Sequence, residues 1–124
     1  MAIDTRKATG IKGEEEAARF LTRCGYAILE KNVRTRVGEI DLVAKEGKTL
    51  VFVEVKTRDG SAFGLGAEAV TAVKQRRMTQ LALDYMTRHH LTHVPCRFDV
   101  VSIRFDAGGP AIEIVQNAFD AATT

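Results

Sequence analysis

Two apolar segments of this chain carry charged residues where a β-strand facing a core should carry hydrocarbon. Residues 49–57 are rich in β-branched residues, and residues 38–44 mix glycine, isoleucine, leucine and valine with two acids. Asp41 lies in the earlier segment, and Glu54 and Lys56 lie in the later one. A buried charge without a partner is strongly unfavourable, so these three residues limit how the strands can pack and indicate a specific role.

The period-two alternation of a strand assigns the residues of each segment to two faces. In the later segment the faces carry Val51, Val53 and Val55 on one side and Phe52, Glu54 and Lys56 on the other. In the earlier segment they carry Ile40, Leu42 and Ala44 on one side and Glu39, Asp41 and Val43 on the other. The polar turn Glu46-Gly47-Lys48 favours a hairpin, which would set Asp41 across from Glu54.

Two neighbouring carboxylates and a lysine are suited to the hydrolysis of a phosphodiester bond. Carboxylates held close together repel each other, and a cation between them removes that repulsion. Mg²⁺ or Mn²⁺ takes oxygen ligands, and a lysine beside it can orient a water or stabilise a negatively charged phosphate. The alternative is structural: Glu54 and Lys56 form a surface ion pair, and Asp41 is a turn acid.

The patterns of the remaining chain predict two helices and five strands. The expected helices are 10–24, closed by Gly25, and 67–90, and the expected strands are 26–33, 38–44, 49–57, 97–105 and 111–116, with a loop over 59–66. The order helix, three strands, helix, two strands indicates an α/β fold with a mixed, mostly antiparallel sheet flanked by helices. We expect one domain over residues 1–124, with loose termini at 1–9 and 117–124.

Composition indicates a soluble globular protein and excludes the membrane-spanning class. Hydrophobic residues make up 45% of the 124 and charged residues 27%. No apolar run approaches the roughly 20 residues that span a bilayer, and residues 1–12 lack the apolar core of a signal peptide. We therefore expect a cytoplasmic protein with no membrane partner, in which Cys24 and Cys96 are reduced structural thiols. The net charge of +2 permits nucleic-acid binding without arguing for it.

The ordered series of motifs resembles the YraN family, also called uncharacterised protein family 0102, of the PD-(D/E)XK nuclease superfamily. The resemblance runs from residue 10 to about residue 116. It is carried by Gly10-Ile11-Lys12-Gly13-Glu14, Gly25-Tyr26-Ala27-Ile28-Leu29, Asn32-Val33-Arg34, Gly38-Glu39-Ile40-Asp41-Leu42-Val43, Phe52-Val53-Glu54-Val55-Lys56-Thr57-Arg58, Phe63-Gly64, Lys74 and Arg97-Phe98-Asp99-Val100-Val101. Ile40 stands where the superfamily is named for a proline, which is often absent.

This resemblance implies a restriction endonuclease-like fold and a Mg²⁺- or Mn²⁺-dependent endonuclease. Asp41 and Glu54 would be metal ligands and Lys56 the catalytic lysine, and Glu14 would join the metal site and the catalytic set. The substrate would be DNA rather than RNA, at branched or damaged sites, because the motif order is similar to that of archaeal Holliday-junction resolvases. Those enzymes act as two-fold dimers, so the resemblance also allows a homodimer.

The rival hypothesis is a non-catalytic nucleic-acid-binding or adaptor module that has the same fold. Intact Asp41, Glu54 and Lys56 argue against it, because a decayed site tends to lose charges that are unfavourable on an apolar strand. Steep salt dependence of DNA affinity would separate a nucleic-acid-binding module from an adaptor for another protein.

Several further polar residues are candidates with an open choice of role. Glu14 either joins the metal site or, with Glu15 and Glu16, complements the dipole of a helix beginning near Gly10. Glu39 either supports the metal site or forms a cross-strand pair with a cation, and a structural ion pair or hydrogen bond is favoured for Asp99. Contacts to DNA phosphates are expected from Arg34, Arg36, Arg58, Lys74 and Arg77. Lys74, in the apolar stripe of the second helix, either extends to its edge or points at the active site.

Overall fold

Five strands and two helices make up the part of the chain that the computed structural model describes, residues 5–58, 70–106 and 108–120. In chain order they are α1 (Thr5–Arg23), β1 (Ala27–Arg34), β2 (Glu39–Glu46), β3 (Thr49–Arg58), α2 (Ala72–Arg88), β4 (Cys96–Asp106) and β5 (Gly109–Val115). Side chains are described over 10–57, 70–105 and 108–120. The expected loop over 59–66 and the Arg58 side chain lie outside these ranges.

The five strands form one sheet in the order β1-β2-β3-β4-β5. Strands β1, β2 and β3 form antiparallel hairpins, β4 and β5 are also antiparallel, and β3 and β4 are parallel. A parallel pair needs a crossover connection, and α2 lies between β3 and β4 in the chain. The expected α/β architecture with a mixed, mostly antiparallel sheet and flanking helices is therefore confirmed.

The β2–β3 hairpin closes through the turn that the sequence indicated. Glu46 pairs with Thr49, and Gly47 between them has a φ of 60°, a left-handed conformation that glycine adopts without a steric penalty. This turn fixes the register of the two strands, so the position of Asp41 relative to Glu54 depends on it.

The two helices cover opposite faces of the sheet, and each face has its own core. Helix α1 contributes Ala17, Ala18 and Leu21 to the first core, which also holds Tyr26, Leu42, Ala44, Val51, Val53, Val101 and Ile103. Helix α2 contributes Leu81, Ala82, Tyr85 and Met86 to the second, which also holds Ile40, Val43, Leu50, Phe52, Val70, Phe98, Val100 and Phe119. Burial on both faces explains the uninterrupted apolar run over residues 50–53 of β3.

Helix α1 begins five residues earlier than its periodicity predicted. It starts at Thr5, so the expectation of loose residues over 1–9 is wrong for 5–9. The predicted C-terminal end holds: Gly25 has a φ of 96°, and the Tyr26 N–H donates to the carbonyl of Leu21 at 2.9 Å, as in a Schellman cap. The start was missed because residues 5–9 lack the apolar spacing by which the rest of the helix is recognised.

Helix α2 begins later than expected, at Ala72 instead of residue 67. Thr71 is its N-cap, and the Thr71 hydroxyl accepts a hydrogen bond from the backbone N–H of Lys74 at 3.2 Å. Threonine is a favoured N-cap residue, which is the signal that the periodicity alone overlooked. Val70 precedes the cap and is buried in the second core.

Residues 117–120 are packed, although they were expected to be loose. Phe119 is buried and stacks on Phe98, with ring centroids 4.7 Å apart, and the Ala118 N–H donates to the carbonyl of Phe98. The aromatic side chain of Phe119 anchors this segment to the sheet, because it packs on Phe98.

A buried polar network confirms the structural role favoured for Asp99. The guanidinium of Arg97 donates to both carboxylate oxygens of Asp99 at 2.9 and 3.0 Å, and Tyr26 and the Asn117 N–H also donate to this carboxylate at 2.9 Å. Arg97 further pairs with Glu46 at 3.0 Å, at the end of β2 far from Asp41. The hydrogen bond to Asp99 raises the pKa of Arg97, so the guanidinium stays ionised.

Candidate functional site

Strands β2 and β3 part at Asp41, and the side chain of this residue enters the gap. The ladder between them ends at the pair Leu42 and Val53. Just beyond it, the backbone N–H of Val55 donates to Oδ2 of Asp41 at 2.8 Å, so a carboxylate takes the place of a main-chain acceptor. Asp41 is therefore fixed to β3 by its side chain.

The alternation of β2 breaks at the same residue. Leu42 and Ala44 lie in the α1-side core, whereas Ile40 lies in the α2-side core. The prediction that these three residues share one face is therefore wrong. We attribute the break to Asp41, because its bond to Val55 substitutes for regular pairing and frees the preceding residues from the register of β3.

Three carboxylates meet beside this gap, and we call Glu14, Glu39 and Asp41 the acidic cluster. Each has an oxygen within 4.8 Å of an oxygen of the other two, which is close enough for one cation to contact all three. Among the described residues this is the only such group of histidine, cysteine and acidic side chains. Carboxylate oxygens at this spacing suit a hard divalent cation.

Glu14 reaches the cluster because α1 passes very close to β3. A Cβ atom placed on Gly13 would lie 2.2 Å from Oγ1 of Thr57, a distance at which atoms overlap. Only glycine permits this approach, which carries the next residue, Glu14, over the edge of the sheet. Since α1 begins at Thr5 and has no acid in its first turn, the dipole role considered for Glu14 is not supported.

Asn32 is a member of the site that sequence reasoning missed. Its side chain hydrogen-bonds to Glu14, and its backbone is left-handed with a φ of 54°. Asparagine tolerates this conformation better than most residues, so an Asn inside a predicted strand was the available signal. The interaction holds the Glu14 carboxylate from the β1 side.

Two members of the acidic cluster, Asp41 and Glu14, are pushed toward their protonated forms. Burial, followed by the negative charge of Glu54, raises the pKa of Asp41 to about 7, although the Val55 N–H opposes the shift. Burial also raises the pKa of Glu14, against the hydrogen bond from Asn32. Met78 and Leu81 of α2 help to exclude water here, because they line a narrow cavity with Asp41 and Glu54.

Glu54 is held by two lysines, and we call Lys56, Glu54 and Lys74 the Glu54 clamp. Nζ of Lys56 lies 3.4 Å from Oε1 of Glu54, and Nζ of Lys74 lies 3.5 Å from the same oxygen. Lys74 therefore points toward the candidate active site, which decides between its two predicted orientations. Burial and the charge of Lys74 lower the pKa of Lys56, and Glu54 opposes this shift.

The remaining predicted residues lie around these two groups. Arg34 pairs with Glu39 across β1 and β2 at 3.7 Å, so Glu39 has both of the roles considered for it, a cluster position and a cross-strand pair. Arg36 and Arg77 are exposed, and the Arg77 side chain lies near Gly38 at the entrance to β2. Arg58 ends β3, but its side chain lies outside the described ranges.

Fold and site together define a mixed α/β protein with a carboxylate group suited to a divalent cation beside a lysine-held glutamate. The chain belongs to uncharacterised protein family UPF0102, whose family model matches residues 13–103. The family expected from the motifs is thereby confirmed. In the part of the chain that the structure describes, neither helix is long and apolar enough to cross a membrane.

Relatives in the same family match along most of the chain. A UPF0102 protein of Symbiobacterium thermophilum is 51% identical over 116 residues, which cover 93% of this chain and 98% of the relative. One of Geobacter sulfurreducens is 46% identical over 117 residues, covering 94% and 91%. Among solved structures, Pyrococcus furiosus SfsA in complex with Ca²⁺ matches at 14% identity with a TM-score of 0.40. That match covers 93% of this chain and 64% of the SfsA chain.

Proposed function

We propose that this protein is a divalent-metal-dependent endonuclease that hydrolyses phosphodiester bonds of DNA. The observation that carries the proposal is the position of the acidic cluster beside the Glu54 clamp, where β2 and β3 part. Phosphodiester hydrolysis needs oxygen ligands for a cation and a positive charge near the reacting phosphate, and both lie here within two adjacent strands.

The residues present fit a bound Mg²⁺ or Mn²⁺. Burial, and after it the charges of Glu54, Glu14 and Glu39, raise the pKa of Asp41 to about 7, and a cation between these carboxylates would relieve their repulsion. Asp41, Glu14 and Glu39 would hold it, and Glu54, whose charge already acts on Asp41, is the next available carboxylate. When bound, the metal supplies Lewis acidity and lowers the pKa of a coordinated water.

Residues of the chain supply binding, orientation and charge around the phosphate. Lys56, adjacent to Glu54 and half-buried, can orient the attacking water or stabilise the negative charge that builds on the phosphate oxygens. Lys74 reaches Glu54, Arg77 lies near Gly38, and Arg36 is an exposed residue two positions before Gly38, and all three would contact the DNA backbone. Branched or damaged DNA is our proposed substrate class and a homodimer our proposed assembly, both supported by the similarity to junction resolvases.

The test is cleavage of branched and linear DNA by wild type and by the Asp41→Asn variant, with Mg²⁺ or Mn²⁺. Asn is the same size and still offers an oxygen to the Val55 N–H, so the variant should fold while losing metal-dependent cleavage. Glu113→Gln, a matched change at an exposed position of β5, should cut like wild type.

Two results would contradict the nuclease assignment. Cleavage by Asp41→Asn at the wild-type rate would show that the acidic cluster takes no part in the reaction. A wild type that binds DNA with steep salt dependence but never cuts it, with either metal, would favour the non-catalytic binding module.

A further inference from the structure

The Glu54 clamp contains one more cation than its carboxylate needs. Both lysines contact the same oxygen, Oε1, at 3.4 and 3.5 Å. One ammonium would neutralise one carboxylate, so the second is available to another anion. The side chain of Lys74 is 40% exposed and that of Lys56 is 19% exposed, so Lys74 is the cation that a phosphate arriving from solvent can reach.

Glu54 lies next to the acidic cluster without belonging to it. It is absent from the group of carboxylates with oxygens within 4.8 Å of one another, yet its charge raises the pKa of Asp41. The carboxylate is thus near enough to serve the cation site while its own charge is balanced by the two lysines. A weaker hold by lysine would make Glu54 a stronger ligand, because a metal and an ammonium compete for the same negative charge.

We propose that Lys74 couples DNA binding to metal binding through Glu54. A DNA phosphate draws Lys74 away from Glu54, and the released carboxylate then strengthens the cation site formed by the acidic cluster. This inference rests on the function proposed above. Lys74 is a positioning residue in this scheme, because it acts on the metal only through Glu54.

Thermodynamic linkage allows the coupling to be measured through the affinity of the protein for DNA. If DNA raises metal affinity by some factor, the metal raises DNA affinity by the same factor. Anisotropy of a labelled DNA duplex, with and without Ca²⁺ at constant ionic strength, gives that factor as a ratio of two dissociation constants. Ca²⁺ serves as the probe because it seeks the same oxygen ligands.

Wild type should bind the duplex about tenfold more tightly with Ca²⁺, a typical size for such coupling. In Lys74→Met the ratio should fall close to one, and DNA affinity without Ca²⁺ should drop. Arg77→Met is the matched control, since it removes a cation one turn along α2 that lies near Gly38 and is not one of the two lysines paired with Glu54. It should weaken DNA binding equally in both conditions and keep the wild-type ratio.

Calorimetric titration of Mn²⁺ without DNA provides a second readout. Lys74→Met should bind Mn²⁺ more tightly than both wild type and Arg77→Met, because only Lys74 competes directly for Glu54. In Glu54→Gln the anisotropy ratio should fall close to one although Lys74 is intact, since the carboxylate through which it acts is gone.

The outcomes separate this inference from the proposed nuclease function. If Lys74→Met keeps the wild-type ratio of DNA dissociation constants without and with Ca²⁺, the coupling is overturned. A wild type that binds Mn²⁺ and cuts DNA but has a ratio of one overturns it as well. A wild type that neither binds a divalent cation nor cuts DNA overturns the coupling together with the proposed function.

Discussion

Asp41 is held in an environment that opposes its ionisation, which lowers folding stability at neutral pH. Burial and Glu54 raise its pKa to about 7, and its value in an unfolded chain is near 3.8. The folded protein therefore retains a proton on Asp41 over a pH range in which the unfolded chain has lost it. Any bound cation has to replace that proton, so metal affinity and pH are linked at this residue.

The sign of the stability effect follows from the raised pKa. Below about pH 4 both states hold the proton and Asp41 has no effect on the free energy of unfolding. Between about pH 4 and 7 the unfolded state binds fewer protons, so wild-type stability falls as the pH rises, and above about pH 7 the loss is complete. We expect Asp41→Asn to be more stable than wild type at pH 8 by about 3 kcal/mol and equally stable at pH 4. This difference is smaller than the full pKa shift would give, because the site is half-buried and solvent screens part of the effect.

Urea denaturation in the presence of a chelator, at pH 4, 6 and 8, checks this difference. Glu113→Gln should track wild type at each pH. A difference between Asp41→Asn and wild type that is constant across the pH range would show that Asp41 titrates normally in the folded protein.

Gly13 determines how closely α1 approaches β3, and a methyl group there should disturb both stability and site. Gly13→Ala should destabilise the protein by about 1–3 kcal/mol, because the new Cβ overlaps Oγ1 of Thr57. Adding Thr57→Ala to Gly13→Ala removes that oxygen and should restore most of the lost stability. Gly10→Ala in the same helix has nothing within 4 Å and should be neutral or slightly stabilising.

Thermal unfolding of these variants, together with Mn²⁺ titration, provides the comparison. A Gly13→Ala protein as stable as Gly10→Ala would mean that Thr57 moves aside freely and that the close approach does not position Glu14.

At the scale of the elements, the Arg97–Asp99 pair joins the start of β4 to three other parts of the fold. It reaches Glu46 at the end of β2, Tyr26 after α1, and Asn117 after β5. Asp99→Ala leaves a guanidinium and other donors without their acceptor, which should destabilise the protein by about 3–5 kcal/mol. Asp120→Ala, at an exposed position, should change stability by less than about 0.5 kcal/mol.

Equilibrium denaturation measures this effect, and Mn²⁺ affinity of the folded fraction should stay at the wild-type value. An Asp99→Ala variant that unfolds like Asp120→Ala would show that the surrounding donors find water as a replacement.

The order and type of the elements followed from the sequence because their signals are local. The β2–β3 hairpin has a glycine turn between β-branched runs, and α1 has a regular apolar face ending at Gly25. The predictions that failed concern features that depend on contacts between elements. Thr5 starts α1 without any apolar spacing, and Asp41 breaks the alternation of β2 through a bond to Val55 that no single-strand pattern contains.

At the scale of the whole molecule, the motifs and the family resemblance named Asp41, Glu54, Lys56 and Glu14, and grouped Asp41, Glu54 and Glu14 around one metal. The structure places Glu14 and Asp41 with Glu39 and sets Glu54 between two lysines. Which carboxylates share a cation depends on the distance between α1 and β3, and which lysine meets Glu54 depends on how α2 returns over the sheet. Both are properties of packing between elements distant in the chain, which periodicity does not encode.

The two ends of β2 differ in how well their charges are balanced. At one end of β2, Glu46 is paired with Arg97, which is paired in turn with Asp99. At the other end, around Asp41, carboxylates are crowded and their charge is incompletely balanced. Buried carboxylates that oppose folding need a reserve of stability elsewhere, so substitutions around Arg97 and Asp99 can remove the acidic cluster by unfolding the chain while leaving each of its three residues in the sequence.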